Sequence, residues 1–317
     1  MTDTLAFLFP GQGSQQVGML ADYVAEPVVA DTLAEASDVL RLDLLSLFQN
    51  GPADKLNQTA ITQPALLVAS VALWRLWASR TSVRPKFLAG HSLGEYSALV
   101  CAGSIAFADA VSLVNKRGLY MQEAVAAGEG AMAAVLGLDD QVVLEACKAV
   151  AEGQVVEAAN FNAPGQVVIA GHVAAVELAV ERAKAEGARK AILLPVSVPS
   201  HCALMKPAAQ KLADELTALS VSVPSIPVLH NVSADVRADE EGIRQHLVAQ
   251  LYSPVRWVET ITTLVESQVT HFVECGPGKV LAGLNKRIAR RIAVTPVASL
   301  SAMDSLLVML EKGNNQE

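Results

Sequence analysis

The stretch AGHSLGEYSAL, residues 89–99, places a serine between two glycines, each two positions away from it. An apolar segment, residues 87–89, precedes the serine, and a run of helical composition follows it. The pattern G-x-S-x-G between a strand and a helix is typical of a strained turn that lifts the serine hydroxyl clear of the backbone. The stretch predicts an α/β fold with Ser92 as a candidate nucleophile; an ordinary tight turn is the alternative.

Further apolar segments alternate with helical ones, which predicts a mostly parallel β-sheet covered by helices. The predicted strands are residues 4–9, 87–89, 226–232, 272–274 and 293–297. The apolar run 65–74 stops at Arg75 and is shorter than the roughly 18 residues that a membrane span needs. It therefore predicts a buried helix with Pro64 in its first turn.

The middle of the chain predicts a separate small lobe after a glycine-rich break at 128–130. Its predicted elements are a strand (131–136), a helix (140–150), a hairpin (155–160 and 166–170), a helix ending at Gly187 and a strand (191–196). This βαββαβ order is the ferredoxin-like arrangement. A cleft between the lobe and the rest of the chain is the expected ligand site.

Composition limits the classes of function. A formal net charge of −8 argues against general nucleic-acid binding, which needs a dense cationic face. The four cysteines, Cys101, Cys147, Cys202 and Cys275, lack C-x-x-C spacing, which favours reduced thiols over disulfides or a zinc site. Because no signal segment, membrane span, heptad or long apolar surface is visible in the sequence, we expect a cytoplasmic monomer.

Neither of two other glycine-rich segments indicates a cofactor. GQGSQQVG, residues 11–18, follows a predicted strand but has Gln16 at the third glycine position of a dinucleotide turn. GPGKV, residues 276–280, lacks the spacing and the Ser or Thr of a phosphate-binding loop. We therefore expect no nucleotide, no metal and no other cofactor.

A serine nucleophile needs a neighbouring base, and six histidines are available. His201 is the preferred candidate because it lies where the chain leaves the small lobe; a hydrogen-bonded loop histidine is the alternative. His91 adjoins the serine, whereas His172 and His246 fall in the small lobe and in a polar helix. The N–H of Leu93, at the start of a helix, would form one arm of an oxyanion hole.

Seven segments, taken together, resemble the successive motifs of malonyl-CoA:acyl carrier protein transacylases, the loading enzymes of bacterial fatty acid synthesis. They are FLFPGQGSQQVGM, AGHSLGEYSALVCAG, KRGLYMQEA, NFNAPGQVVIAG, VPSHCALM, SPVRW and ECGPGKVLAGL, and they cover about residues 4–300 in the family's order. The resemblance implies an α/β-hydrolase-like body, residues 1–127 and 198–317, with a ferredoxin-like insertion, residues 128–197. It also implies malonyl-CoA as substrate and acyl carrier protein as partner.

The resemblance further implies a catalytic role for each residue that matches a family motif. Ser92 would attack the malonyl thioester, His201 would be its base, and Gln250 would orient the histidine through a carbonyl. Gln12 would be the second oxyanion donor, beside Leu93.

The resemblance also implies a set of substrate-binding residues. Arg117 would anchor the free carboxylate of the malonyl group, because its rigid fork can pair with both oxygens. Asn160, Gln63 and His91 match further substrate-binding positions.

Five cations and no acid lie between Lys279 and Arg291. The spacing of four of them predicts one side of a helix: Lys286, Arg287, Arg290 and Arg291. We expect this face to steer an acidic carrier protein and the phosphates of coenzyme A; a solvated helix surface is the alternative.

Other functions remain open at this point. The serine turn alone would also suit an esterase or thioesterase, although no carboxylate is clearly marked as a partner for the histidine. A catalytically silent scaffold would need a lost nucleophile or base, which the sequence does not show. The acceptor could equally belong to a polyketide or a malonate decarboxylase system.

Overall fold

Two β-sheets run through the part of the chain that the computed structural model describes, residues 4–196 and 198–314. The strands of these residues are β1 (Leu5–Phe9), β2 (Phe87–Gly90), β3 (Gly130–Leu136), β4 (Val156–Ala163), β5 (Gln166–His172), β6 (Lys190–Leu193), β7 (Val228–Leu229), β8 (His271–Glu274) and β9 (Ala293–Pro296).

Helices surround both sheets. They are α1 (Pro27–Leu40), α2 (Leu44–Asn50), α3 (Ala53–Leu56), α4 (Thr59–Arg80), α5 (Gly94–Cys101), α6 (Phe107–Glu123), α7 (Asp140–Val150), α8 (Val173–Ala185), α9 (Lys206–Ala218), α10 (Glu240–Gln250), α11 (Trp257–Glu266), α12 (Val280–Ile288) and α13 (Leu300–Asn314).

The first sheet is parallel and has the strand order β7-β2-β1-β8-β9. Leu5, Phe7 and Phe9 of the central strand β1 point into a core that includes α4, α6 and α9, while Ala6 and Leu8 point into a second core that includes α11. Burial on both faces is typical of parallel strands and confirms the predicted α/β fold. β2 and β7 lie on one side of β1 and β8 and β9 on the other, so the strand order reverses at β1. Because all five strands are parallel, their carboxyl ends lie at the same edge of the sheet.

The second sheet is antiparallel, with the order β4-β5-β3-β6, and α7 and α8 pack against it. Its elements follow one another as strand, helix, strand, strand, helix, strand between residues 130 and 193. Backbone hydrogen bonds join it to the remainder of the protein, because Phe161 N–H donates to the carbonyl of Val255 and Val255 N–H donates to that of Ala159.

The division of the chain into body and lobe stays a prediction. The predicted boundary at residue 197 and the chain ends 1–3 and 315–317 lie outside the described residues.

Two predicted strands extend well beyond those observed. The strand predicted over 226–232 is limited to β7, because His230 N–H donates to the carbonyl of Asp235 and Ala234 N–H donates to that of His230, which turns the chain out of the sheet. The strand predicted over 191–196 ends with β6, two residues before Pro195, which has no N–H for a sheet.

The prediction for the first turn of α4 is also wrong. The helix begins at Thr59, so Pro64 lies beyond its first turn. A proline has no N–H, which leaves the carbonyl of Ala60 without its helical donor. The side chain of Asn115, on α6, supplies the missing bond, with its Nδ2 donating to that carbonyl at 2.8 Å.

α4 is the one helix of the described residues that is long and apolar enough to cross a membrane by length and composition. It has 22 residues, so the predicted run 65–74 was only its middle. Of the window that meets these criteria, 89% is buried inside the protein, where α4 packs against α1 and α6. This burial fits a core helix.

The predicted cationic helix face is only partly correct. α12 ends at Ile288, so Lys286 and Arg287 lie on it while Arg290 and Arg291 follow it. The N–H of Ile292 closes a turn on the carbonyl of Ala289, which directs the chain into β9 and ends the helix.

Candidate active site

The serine turn connects β2 to α5, and its geometry explains both glycines. Ser92 has a φ of 53°, in the left-handed region that non-glycine residues seldom adopt. A Cβ on Gly90 would lie 1.9 Å from the carbonyl carbon of Gly94, and a Cβ on Gly94 would lie 2.0 Å from the carbonyl oxygen of Phe9. The turn therefore tolerates no side chain at either position, which holds the serine at the carboxyl end of the sheet.

Ser92 and His201 are in direct contact. The Oγ of Ser92 lies 2.7 Å from Nε2 of His201, whose Nδ1 lies 2.7 Å from the main-chain carbonyl of Gln250. A carbonyl can only accept, so Nδ1 carries the proton and the lone pair of Nε2 faces the hydroxyl. This is the geometry in which an imidazole can take a proton from serine.

Burial lowers the pKa of His201 to about 3, and the positive charge of Arg117 is the next largest cause. The imidazole is 3% exposed. It is therefore neutral, and able to accept a proton, at any pH near neutrality.

Two backbone N–H groups beside the serine are free to bind an anion. The N–H groups of Leu93 and Gln12 donate no hydrogen bond to any described residue, and both residues line the same cavity as Ser92. Gly11 holds the loop of Gln12 against the serine turn, because a Cβ there would lie 2.5 Å from the carbonyl oxygen of His91.

Arg117 is a buried cation without a partner of opposite charge. Its side chain, from α6, is 1% exposed, and no carboxylate of the described residues lies within 4 Å of it. Its NH1 donates to Oε1 of Gln63 at 2.7 Å and its NH2 to Oε1 of Gln250 at 3.0 Å, while Nε has no partner among the residues that the structure describes. Neutral carbonyl oxygens leave the charge uncompensated, which suits a carboxylate ligand.

The cavity has a volume of about 220 Å³ and lies between the two sheets. Ser92, His201 and Arg117 line it together with the other predicted pocket residues, which are Gln12, Leu93, Gln63, His91 and Asn160. Gln250 lies behind this surface and touches it through His201 and Arg117.

The antiparallel sheet supplies one wall of the cavity. Asn160, on β4, faces it, and Nε2 of His91 lies 2.7 Å from Oδ1 of the next pocket asparagine, Asn162. The ring of His91 meets that of Trp257 edge-on at 5.4 Å. Burial lowers the pKa of His91, so this histidine offers a neutral polar surface.

Asn231, which the sequence did not indicate as a functional residue, braces the serine turn. Its Oδ1 accepts from the N–H of Ser92 and its Nδ2 donates to the carbonyl of Gly90, both at 2.6 Å. The available signal was the polar pair His230-Asn231 directly after an apolar segment, since such residues end a strand at the carboxyl edge of the sheet.

The GPGKV turn has no room for a phosphate at its helix. The carboxylate of Glu274, at the end of β8, accepts from the N–H groups of Leu281 and Ala282 at 2.9 and 2.8 Å. An internal anion thus occupies the N-terminus of α12. Among the described residues, no three His, Cys, Asp or Glu side chains are grouped as metal ligands.

The predicted docking cations lie outside the cavity. All four are exposed. Arg287 donates to Oε1 of Gln166 and to the carbonyl of Pro164, in the β4–β5 turn. Val280 and Leu281, at the start of the same helix, line the cavity, so α12 forms a wall of the cavity next to these cations.

Comparison with known proteins gives a family match over most of the chain. The model of the acyl transferase domain matches residues 6–304. Malonyl CoA-acyl carrier protein transacylase of Escherichia coli (strain K12) is 56% identical over 303 residues, which are 95% of this chain and 98% of that protein. Its counterpart in Bacillus subtilis (strain 168) is 47% identical over 313 residues, 98% of each chain.

Solved structures give the same result. Malonyl-CoA:acyl carrier protein transacylase of Xanthomonas oryzae pv. oryzae superposes with a TM-score of 0.95 at 51% identity, over 97% of this chain and 98% of that one. A malonyl-transacylase in complex with its holo type II PKS acyl-carrier protein superposes with a TM-score of 0.94 at 54% identity, over 95% and 98% of the two chains.

The lowered pKa of His201 predicts a flat pH profile for the reactivity of Ser92. An ordinary imidazole, with a pKa near 6.5, is only about 3% neutral at pH 5, which would slow serine labelling about thirtyfold. With its pKa at about 3, His201 stays neutral there. We expect the rate constant for labelling by a fluorophosphonate, corrected for loss of folded protein, to change less than twofold between pH 8 and pH 5.

The control is Ser92→Ala, which should take up no label. A tenfold fall in rate centred near pH 6.5 would contradict the assignment. The same shift makes folding pH-dependent: the unfolded chain binds the proton first, so this contribution to stability is complete above pH 6.5 and is lost as the pH falls towards 3.

Proposed function

Because the chain belongs to the acyl transferase domain family, we propose that it transfers malonyl groups from malonyl-CoA to the phosphopantetheine thiol of an acyl carrier protein. One observation carries the proposal. The buried guanidinium of Arg117, which contacts no carboxylate in the described part of the chain, lines the same cavity as the Ser92–His201 pair. A nucleophile and a separate carboxylate site together suit a substrate with a thioester at one end and an acid at the other.

In the first half-reaction, Oγ of Ser92 attacks the thioester carbonyl while Nε2 of His201 takes the hydroxyl proton. The N–H groups of Leu93 and Gln12 bind the oxyanion, and each such donor stabilises a transition state by about 3 kcal/mol. When the carbon–sulfur bond breaks, His201 returns the proton to the coenzyme A thiol. The product is a malonyl ester of Ser92.

In the second half-reaction, the carrier thiol gives its proton to His201 and attacks the serine ester. Collapse of the intermediate breaks the bond to Oγ, and His201 protonates Ser92. The main-chain carbonyl of Gln250 keeps the imidazole in the required tautomer throughout. The exchange of one thioester for another is nearly isoenergetic, so the mechanism needs no metal or other cofactor.

Arg117 selects the acyl group. Gln63 and Gln250 hold its guanidinium, whose fork can pair with both oxygens of the malonyl carboxylate. An acetyl group leaves this buried cation unpaired, at a cost of roughly 2 to 5 kcal/mol. Asn160 and His91 contact the rest of the malonyl group.

The exposed cations of residues 286–291 steer the acidic carrier protein and coenzyme A. The charge of the whole chain is −8, so docking of an acidic partner needs a local positive surface. These cations adjoin the wall of the cavity that α12 forms. We propose that the reaction takes place in the cytoplasm and that the enzyme is a monomer.

Two other readings of the site differ in a measurable way. A hydrolase would release malonate to water; against it, the acceptor at Nδ1 of His201 is the carbonyl of Gln250 rather than a carboxylate. A carrier protein of a polyketide system is a second acceptor, which the relative bound to a type II PKS carrier protein favours.

A trapped intermediate tests the proposed function. Incubation with radiolabelled malonyl-CoA and acid quenching should give stoichiometric label on Ser92, which added holo carrier protein removes as malonyl-carrier. Ser92→Ala should take up none. Release of free malonate faster than transfer would favour the hydrolase. Comparing the transfer rates to a fatty acid carrier protein and to a polyketide carrier protein would show which acceptor is preferred.

Replacing the arginine should relax acyl selectivity. We expect Arg117→Ala to lower the ratio of kcat/KM for malonyl-CoA over acetyl-CoA by about one to three orders of magnitude, because the cost of an unpaired guanidinium disappears. Lys116→Ala, which removes the adjacent surface cation on α6, is the matched control and should keep the ratio of the wild type. Full malonyl selectivity in the Arg117 variant would show that the anchor lies elsewhere.

Charge reversal on the docking surface should slow encounter with the carrier protein. We expect Arg287→Glu with Arg290→Glu to lower kcat/KM for the carrier about tenfold at low salt, and the difference to shrink at 0.5 M salt because the field is screened. Arg290→Glu alone leaves the contacts of Arg287 intact, and Lys148→Glu on α7 is the control. Unchanged carrier kinetics at low salt would rule out this surface.

A further inference from the structure

Glu95 is a fully buried carboxylate in the first turn of α5, three residues after the nucleophile. Its Oε1 lies 2.7 Å from Nδ1 of His230. Its Oε2 accepts from the N–H of Asn231 at 2.9 Å and from Nε2 of Gln250 at 2.8 Å. Both oxygens thus have hydrogen-bond partners inside the protein, yet Glu95 does not line the cavity.

One amide separates this carboxylate from the buried guanidinium. Arg117 donates to Oε1 of Gln250, and Nε2 of Gln250 donates to Glu95. The amide therefore has its oxygen towards the cation and its nitrogen towards the anion, which fixes its orientation. No carboxylate of the described residues touches Arg117. The side-chain amide of Gln250 therefore links the guanidinium to the negative charge of Glu95.

We propose, on the basis of the proposed function, that Glu95 is the remote counter-charge of Arg117, a positioning residue that keeps the guanidinium buried and charged while leaving its free edge to the substrate. A cation buried with no anion nearby is costly, and a cation in direct contact with an acid would have no capacity left for the substrate carboxylate. A carboxylate one amide away avoids both outcomes.

The same carboxylate also supports the nucleophile and its base. Gln250 presents its main-chain carbonyl to His201 and donates from Nε2 to the carbonyl of Ser92 at 3.0 Å. Asn231 donates its main-chain N–H to Glu95, and its side-chain oxygen accepts from the N–H of Ser92. The carboxylate is thus linked to the base through Gln250 and to the nucleophile through Gln250 and Asn231, so its negative charge would favour the imidazolium that forms as the serine attacks.

Glu95→Gln removes the charge and keeps the hydrogen bonds. The amide oxygen can accept from Asn231 and Gln250, and the amide nitrogen can donate to Nδ1 of His230, whose Nε2 has no partner and can carry the proton instead. A merely structural role of Glu95 would therefore survive this change. An electrostatic role would not.

Binding and chemistry should respond in opposite directions. In a Ser92→Ala background, which prevents acylation, we expect Glu95→Gln to lower the Kd of malonyl-CoA about three- to tenfold, because Arg117 loses its compensating charge. The Kd of acetyl-CoA, which has no carboxylate, should stay the same. With Ser92 present, quenched-flow acylation by saturating malonyl-CoA should slow about tenfold.

Glu215→Gln is the matched control. Glu215 pairs with Lys116 and Tyr120 of α6 at the protein surface, so Glu215→Gln removes a negative charge beside the helix that carries Arg117, but one in contact with solvent. It should leave the Kd of both coenzyme A esters and the acylation rate unchanged.

An unchanged or raised Kd for malonyl-CoA, or an equal change for acetyl-CoA, would overturn the inference. If Glu95→Gln does not fold, Glu95→Asp replaces it, because this variant keeps the negative charge. It should bind malonyl-CoA no more tightly than the parent protein, and tighter binding would also overturn the inference. Failure of the proposed function is a distinct result, namely that Ser92→Ala itself shows no preference for malonyl-CoA over acetyl-CoA.

Discussion

The interior of this protein contains an arginine that contacts no acidic side chain of the described residues, and the arrangement of the cavity depends on that uncompensated charge. The guanidinium of Arg117 is held by the carbonyl oxygens of Gln63 and Gln250, which orient it without satisfying its charge. α4 and α10 supply these two oxygens, and α6 supplies the arginine. Three helices therefore have to meet at the carboxyl edge of the parallel sheet, where the turn after β2 also places Ser92.

Gln250 connects the two chemical tasks of the cavity. Its main-chain carbonyl sets the tautomer of His201, its side-chain oxygen holds Arg117, and its side-chain nitrogen reaches Ser92 and Glu95. A catalytic aspartate in place of this carbonyl would put a negative charge next to the guanidinium and compete with an acidic substrate. A neutral acceptor for the histidine is therefore consistent with the uncompensated charge of Arg117.

The sequence predicts those parts of the protein that depend on local patterns. The G-x-S-x-G turn, the alternation of strands and helices that indicates a parallel sheet, and the order of elements between residues 130 and 193 were all predictable, because each of these patterns lies in residues close together in the chain. The bracing of Ser92 by Asn231 and the link from Glu95 to Gln250 were not. Each depends on partners that only the folded chain brings together, such as Glu95 and Gln250, 155 positions apart. The role of Gln250 came from a family resemblance, and only coordinates distinguish its main chain from its side chain.

The proline in α4 has a consequence for the cavity some distance from its own position. A helix ordinarily closes its backbone bonds within itself and can slide along a neighbour without losing any of them. Here the open carbonyl of Ala60 is closed by Asn115, so sliding of α4 along α6 would break a bond. Gln63 stands three residues after that carbonyl and Arg117 two residues after that asparagine. An interruption that usually weakens a helix thus sets the alignment of Gln63 with the guanidinium of Arg117.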